Sequence, residues 1–176
     1  KAGDQHGYLP LAEGKEWPEP LVRWLADPEA KKLVHDGKTQ MVLADHYGHT
    51  LEGVTFDTLI AAYLVSGGRW QLTLENTAQT LLGVELPPLQ DAKGKKREVF
   101  TLPADWLEAD LATAGVRRTA AVLKLHPVLQ AEIGQAGVDA LFYEVEMPLV
   151  RILFAMEKAG VKVSPEHLAL LQNNYA

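Results

Sequence analysis

FYEVEMPLVRILFAMEKAGVKVS, residues 142–164, decides how this chain is read. Its apolar residues recur at helical spacing, and they predict one long helix over 138–159 with Pro148 inside it. Gly160 is a turn signal at its end. The residues beyond read as the start of another helix, close to the end of the 176-residue chain.

Working upstream from that helix, the spacing predicts further helices at about 115–134 and 103–114. VELPPLQDAKGKKREVF (84–100) holds Pro87, Pro88 and a basic run, and reads as a loop. LTLENTAQTLLG (72–83) is a helix closed by Gly83. TLEGVTFD (50–57) leads into DTLIAAYLVSGG (57–68), so apolar a helix that it belongs in the core. KTQMVLADHYG (38–48) is a helix with a glycine stop, and KKLVHDG (31–37) a short buried strand ending in a turn. WPEPLVRWLADPEA (17–30) has Pro20 near a helix start and Leu21, Val22, Trp24 and Leu25 on one stripe. GYLPLAEG (7–14) reads as a short strand and a turn. The class is α/β, with many helices around a few strands.

Bulk composition excludes several roles. Hydrophobic residues make up 47% and charged residues 23%, the balance of a folded globular chain. Net charge is −6, which on average repels nucleic-acid phosphates. Cysteine is absent, so there is no disulfide framework and no thiolate metal site. No apolar run approaches the roughly 18 residues that span a bilayer. The sequence begins at Lys1 without a methionine or a signal peptide, as a fragment of a longer protein would.

The common catalytic motifs are missing. There is no GxGxxG, no GxxxxGK[ST] and no GxSxG. His46 and His49 lie near Asp45 in the sequence, but a helix end favouring histidine through its dipole explains them better than a metal does. Asp27-Pro28-Glu29 reads as a solvated helix stop. Asp36 and Asp57 each follow a short apolar run. Asp57 suits a helix N-cap better than a metal ligand. Lys93, Lys95, Lys96 and Arg97 form the one basic cluster, a solvated loop or a weak phosphate contact without interleaved aromatics. Arg117 and Arg118 are a smaller pair. Trp17, Trp24, Trp70 and Trp106 read as packing residues.

Three stretches carry a resemblance. EVEMPLVRILFAMEKAGVKVS (144–164) resembles the segment that links the 3′–5′ exonuclease-type domain to the polymerase domain in family A DNA polymerases, the bacterial DNA polymerase I family. LADHYGHTLEGVTFDTLIAAYLV (43–65) is similar to that family's stretch from its Tyr-Gly to its Phe-Asp-Thr, in the same order. LTLENTAQTLLGVELP (72–87) resembles the helix that follows. The resemblance covers roughly 7–176. It implies a ribonuclease H-like 3′–5′ exonuclease fold lacking its first strand or strands, over residues 1–137. Residues 138–176 would be the linker helix and the start of the polymerase thumb, with Ser164 as N-cap and Pro165 in the first helical turn. Palm and fingers would lie outside these residues.

The same resemblance bears on the nuclease. In proofreading members an Asp-x-Glu, an aspartate on the helix before the Tyr-Gly, and a Tyr-x-x-x-Asp hold two metals that activate water. The first pair would lie upstream of Gly7. Counted back from Tyr47, the second position falls at Gln40, a neutral side chain that binds a hard cation poorly. Counted back from Glu146, the last motif falls near Thr113 and Arg117. The resemblance therefore implies a non-catalytic scaffold domain without metal or cofactor of its own, with Asp36 and Asp57 as residual candidates. The parent chain would be a DNA-directed DNA polymerase using Mg2+, primer-template and deoxynucleotides in the bacterial cytoplasm and nucleoid. This domain would pack on the polymerase domain, with no membrane role. An active nuclease with divergent ligands and a stand-alone interaction module are the competing expectations.

Overall fold

The computed structural model describes residues 7–9, 16–67, 72–86 and 108–175. The basic run at 93–97, Trp70, Trp106, most of the 7–14 stretch and most of the 84–100 loop lie outside the described residues. Gly7–Leu9 carry no regular structure.

Helix α1 (Glu19–Ala26) opens on a proline-rich first turn, where a missing N–H costs nothing. It stops because Asp27 precedes Pro28 and is forced into extended backbone, φ −77° and ψ 113°. The Asp27 side chain accepts the Glu29 N–H at 2.9 Å, so the expected helix stop is what Asp27-Pro28-Glu29 provides. Strand β1 (Lys32–Val34) follows. Lys32 is 3% exposed, yet its ammonium is satisfied. It donates to the Asp27 and Ala30 carbonyls at 2.9 and 2.8 Å and sits over the Trp24 ring. Burial pulls its pKa down, against the opposing pull of Asp27 and Glu52. Gly53 closes the same corner: at φ +69°, a Cβ there would lie 2.5 Å from the Ala30 carbonyl oxygen.

Helix α2 (Gly37–His46) returns the chain to strand β2 (Val54–Asp57), which pairs parallel with β1. Lys32, Leu33 and Val34 face Val54, Phe56 and Asp57, with a bulge after Lys32. This β–α–β unit is the whole sheet among the described residues.

Helix α3 (Thr58–Ser66) runs directly from β2 and ends at Gly67 in the left-handed region. It is a core helix, but its buried face is Ala61, Ala62 and Ser66, with Leu59 and Leu64 only half-buried. Small residues let α3 approach the helix at Glu108–Ala136 closely. Helix α4 (Leu74–Leu82) is capped by Thr73 and closed by Gly83 at φ +64°.

The two helices expected at 103–114 and 115–134 are corrected. One helix, α5 (Glu108–Ala136), runs unbroken through Gly115 and Pro127. Its inner stripe, Ala121, Leu125, Leu129 and Ile133, is buried at four-residue spacing. That continuous burial outweighs the roughly 1 kcal/mol an isolated glycine costs a helix. Gly137 ends α5 at φ +68°. The expected long helix at 138–159 is present, with a π-helical segment (Leu141–Glu146) leading into α6 (Met147–Ala159). Pro148 explains the widened turn. Its ring would clash with the carbonyl four residues back, at Glu144, and it has no N–H to offer. After Gly160, α7 (Pro165–Tyr175) begins as expected: the Ser164 hydroxyl accepts the His167 N–H at 3.2 Å.

The main core joins Phe56, Ala61 and Ala62 to Leu125, Leu129, Ile133 and Phe142. A smaller one joins Met41, Ala44 and Leu51 to Val150 of α6.

Candidate functional site at the carboxyl ends of the strands

Open α/β sheets place ligands at the carboxyl ends of their strands. In this fold that edge is built from His35, Asp36 and Gly37 after β1 and from Asp57 and Thr58 at the end of β2.

Asp57 is 1% exposed and sits between two helix N-termini. Its Oδ1 accepts the N–H of Asp36 at 3.0 Å and of Leu59 at 2.9 Å. Its Oδ2 accepts the N–H of Gly37 at 2.7 Å. One carboxylate thus caps both α2 and α3, meeting the partial positive charge of each. Burial raises its pKa, and the three backbone hydrogen bonds oppose that rise. Gly37 leaves room here: a Cβ would come 3.1 Å from Asp57 Oδ2 and 3.0 Å from Val34 Cγ2, so one of these side chains would have to give by a few tenths of an ångström. The N-cap expected of Asp57 is found, together with a second cap the sequence did not disclose.

Asp36 takes φ +61°, the one left-handed non-glycine residue among those described, and its side chain accepts the Thr39 N–H at 3.3 Å. Beside it, His35 Nδ1 lies 3.0 Å from Thr58 Oγ1, which donates to the Val34 carbonyl at 3.1 Å. With its own hydrogen directed at Val34, the Thr58 hydroxyl accepts from a His35 protonated on Nδ1. Burial pushes its pKa down to about 4, helped by Arg118 and opposed by Asp36 and Glu75. Arg118 forms an ion pair with Glu75. Burial alone would raise the Glu75 carboxyl, but the Arg118 hydrogen bond and charge, a backbone hydrogen bond and His35 together outweigh it and hold the group below its usual range.

A neutral buried histidine makes stability depend on pH. The unfolded imidazole titrates near 6.5 and the folded one near 4. Below the unfolded value the unfolded chain takes up a proton the folded chain refuses. Stability contributed by His35 is therefore complete above about pH 6.5 and lost as pH falls toward 4. We expect about 1–3 kcal/mol from this group. The raised Asp57 carboxyl acts in the opposite sense. Urea unfolding of the wild type and of His35→Asn across this window isolates the histidine, since the asparagine amide can still reach Thr58. The wild type should lose more stability on acidification than the variant; equal losses would mean that His35 titrates normally.

The other positions singled out in the sequence are engaged by the chain's own backbone and side chains. Gln40 Nε2 donates to the His35 carbonyl at 2.8 Å. Thr113 Oγ1 donates to the Ala109 carbonyl at 2.8 Å, and Arg117 to the Glu85 carbonyl at 3.0 Å. Asp45 pairs with Lys158 at 2.6 Å. His49 and Tyr47 pack on Trp17, with ring centroids 4.5 and 5.4 Å away, and His46 meets Tyr47 edge-on. Among the described residues no three His, Asp or Glu side chains gather into a cation site. Among the described residues the carboxylates at this edge are Asp36 and Asp57, and Asp57 is engaged by three backbone N–H groups. No described helix is long and apolar enough to cross a membrane.

Sequence reasoning missed His35, Thr58, Glu75 and Arg118 as one cluster. His-Asp-Gly directly after an apolar run was the available signal. The Glu75–Arg118 pairing spans 43 positions and leaves no local trace.

Residues 2–108 match the family model described as DNA polymerase I, ribonuclease H-like domain. The chain is 35% identical over 155 residues to DNA polymerase I of Mycobacterium bovis, covering 88% of this chain and 17% of that protein. Against DNA polymerase I of Bacillus subtilis the identity is 33% over 153 residues, covering 85% and 17%. The chain therefore spans about one sixth of the length of these relatives. The structure of the POL domain of Pol1 from M. smegmatis, in complex with DNA primer-template and dNTP, superposes with a TM-score of 0.73 at 31% identity. That match covers 94% of this chain and 26% of the other.

Proposed function

The chain belongs to the family of the DNA polymerase I ribonuclease H-like domain, and from that premise we propose that it is a non-catalytic exonuclease-like scaffold within a family A DNA polymerase. Residues 1–137 form the exonuclease-like unit, and residues 138–176 the connection toward the polymerase thumb. The observation that carries the reading is the use made of the residual carboxylate Asp57. A buried group holding three backbone N–H groups, two on Oδ1 and one on Oδ2, has little acceptor capacity left for a cation. The side chains of Gln40, Thr113 and Arg117 support it, each donating to a carbonyl of its own chain. The fold's first strand, with the Asp-x-Glu of proofreading members, belongs before α1 in the parent protein; β1 is the first strand among the described residues.

The parent chain synthesises DNA on a primer-template from deoxynucleotides, with Mg2+ held by its polymerase domain, in the bacterial cytoplasm and at the nucleoid. This module packs against that domain. Large apolar side chains support such packing: Ile152, Met156, Leu168 and Leu170 are each more than half exposed on α6 and α7, and Val161 between them is 89% exposed. The run Lys93, Lys95, Lys96 and Arg97 is the candidate contact with DNA phosphates. One observation favours an active nuclease instead: the half-buried Asp36 carboxylate bears a single long hydrogen bond at the strand edge.

A gel decides between them. The longest natural chain carrying these residues is given 5′-labelled primer on template and Mg2+, with and without deoxynucleotides. Lengthening, with no shortening in the nucleotide-free lane, is the expected result. Shortening abolished by Asp36→Ala would establish the nuclease, and no change in either lane would favour a stand-alone interaction module.

A further inference from the structure

Helix α6 is held to α2 differently from the way the rest of the fold is held. Its only buried residue is Val150, which with half-buried Phe154 meets Met41, Ala44 and Leu51. Around this narrow apolar seam stand three ion pairs: Lys38–Glu157, Asp45–Lys158 and Glu52–Arg151. The first two are instructive together. Lys38 lies in the first turn of α2 and Asp45 in the last, and they are met by adjacent residues of α6. The end of α6 therefore straddles α2, acidic residue toward one end and basic residue toward the other. Turning α6 by one residue about its axis would bring Lys158 opposite Lys38, so the signs select a single seating.

From this arrangement we infer that the last turn of α6 is latched onto α2 by charge, so that ionic strength sets how firmly the connecting helix is held. All three pairs are solvent-accessible, so salt screens them. The apolar seam beneath is narrow: Val150 and half-buried Phe154 meet Met41, Ala44 and Leu51, with half-buried Leu25, Val54 and Ile60 at its edge. The π segment Leu141–Glu146 supplies the joint on the other side, since its widened turn is where the long helix departs from regular geometry. Released from α2, α6 keeps only its join to the π segment, so unlatching frays it from the Gly160 end and exposes its amides.

Hydrogen exchange read by mass spectrometry on the full polypeptide tests this, with the α5 peptides around Leu125–Ile133 as an internal reference. Raising salt from about 0.1 M to about 1 M shortens the screening length from roughly 10 Å to roughly 3 Å. It should speed exchange in 147–159 while α5 stays fixed. Asp45→Lys should speed exchange there about three- to tenfold. Asp45→Lys combined with Lys158→Asp should return it to the wild-type rate. Unchanged exchange in Asp45→Lys, failure of the swap to restore protection, or an equal rise across α5 would each overturn the latch.

Discussion

Asp57→Ala should cost about 3–5 kcal/mol of stability, measured by denaturant unfolding in chelator-treated buffer. Three backbone N–H groups lose their acceptor at once, each at about 1–3 kcal/mol when left unsatisfied. Relief of a buried carboxylate whose pKa is raised offsets part of that sum. Asp57→Asn should fall between. Its one oxygen can still serve Asp36 and Leu59, but its amide then confronts the Gly37 N–H, donor against donor. The sign of the effect separates two accounts. A carboxylate kept for a metal is a burden to the metal-free protein, and its removal is neutral or stabilising. A carboxylate that caps two helices is missed most when no metal is present.

Phe142→Ala should cost a comparable 3–5 kcal/mol. Phe142 is 0% exposed, with its ring centroid 4.8 Å from that of Phe56 on β2. It is the buried residue of the π segment, so it fixes the start of the connecting helix to the main core. Val145→Ala in the same segment, at a side chain 51% exposed, should stay within about 1 kcal/mol and serves as the control. A loss below 1 kcal/mol for Phe142→Ala would mean that the connecting helix is not built into the core.

Most helices were legible because their ends were written locally. Gly83 after LTLENTAQTLL, Gly48 after α2 and Ser164-Pro165 before α7 are signals that act within a few residues. The same local reading failed at Gly115, where burial of Ala121, Leu125, Leu129 and Ile133 carries α5 past a residue that looks like a stop. It also passed over β2, whose four residues are too few to establish alternation. The apolar run of α3 announced a core helix but not its buried side. With apolar residues on every face, periodicity is silent, and close approach to α5 selects the alanines. At the strand edge, the N-cap of Asp57 was readable from Phe-Asp-Thr. Its second cap on α2 depends on a contact 20 positions away. His35, Glu75 and Arg118 become one cluster only once α5 lies against β1 and α4 against α5.

Manganese binding followed by electron paramagnetic resonance on the longest natural chain, with the polymerase-domain metal ligands removed by mutation, is the most direct probe of this edge. A scaffold whose carboxylate serves two helix caps should show no stoichiometric Mn2+ at sub-millimolar concentrations, and Asp36→Ala should change nothing. Two tightly bound ions per chain, lost on Asp36→Ala, would contradict it and make this module a working nuclease site.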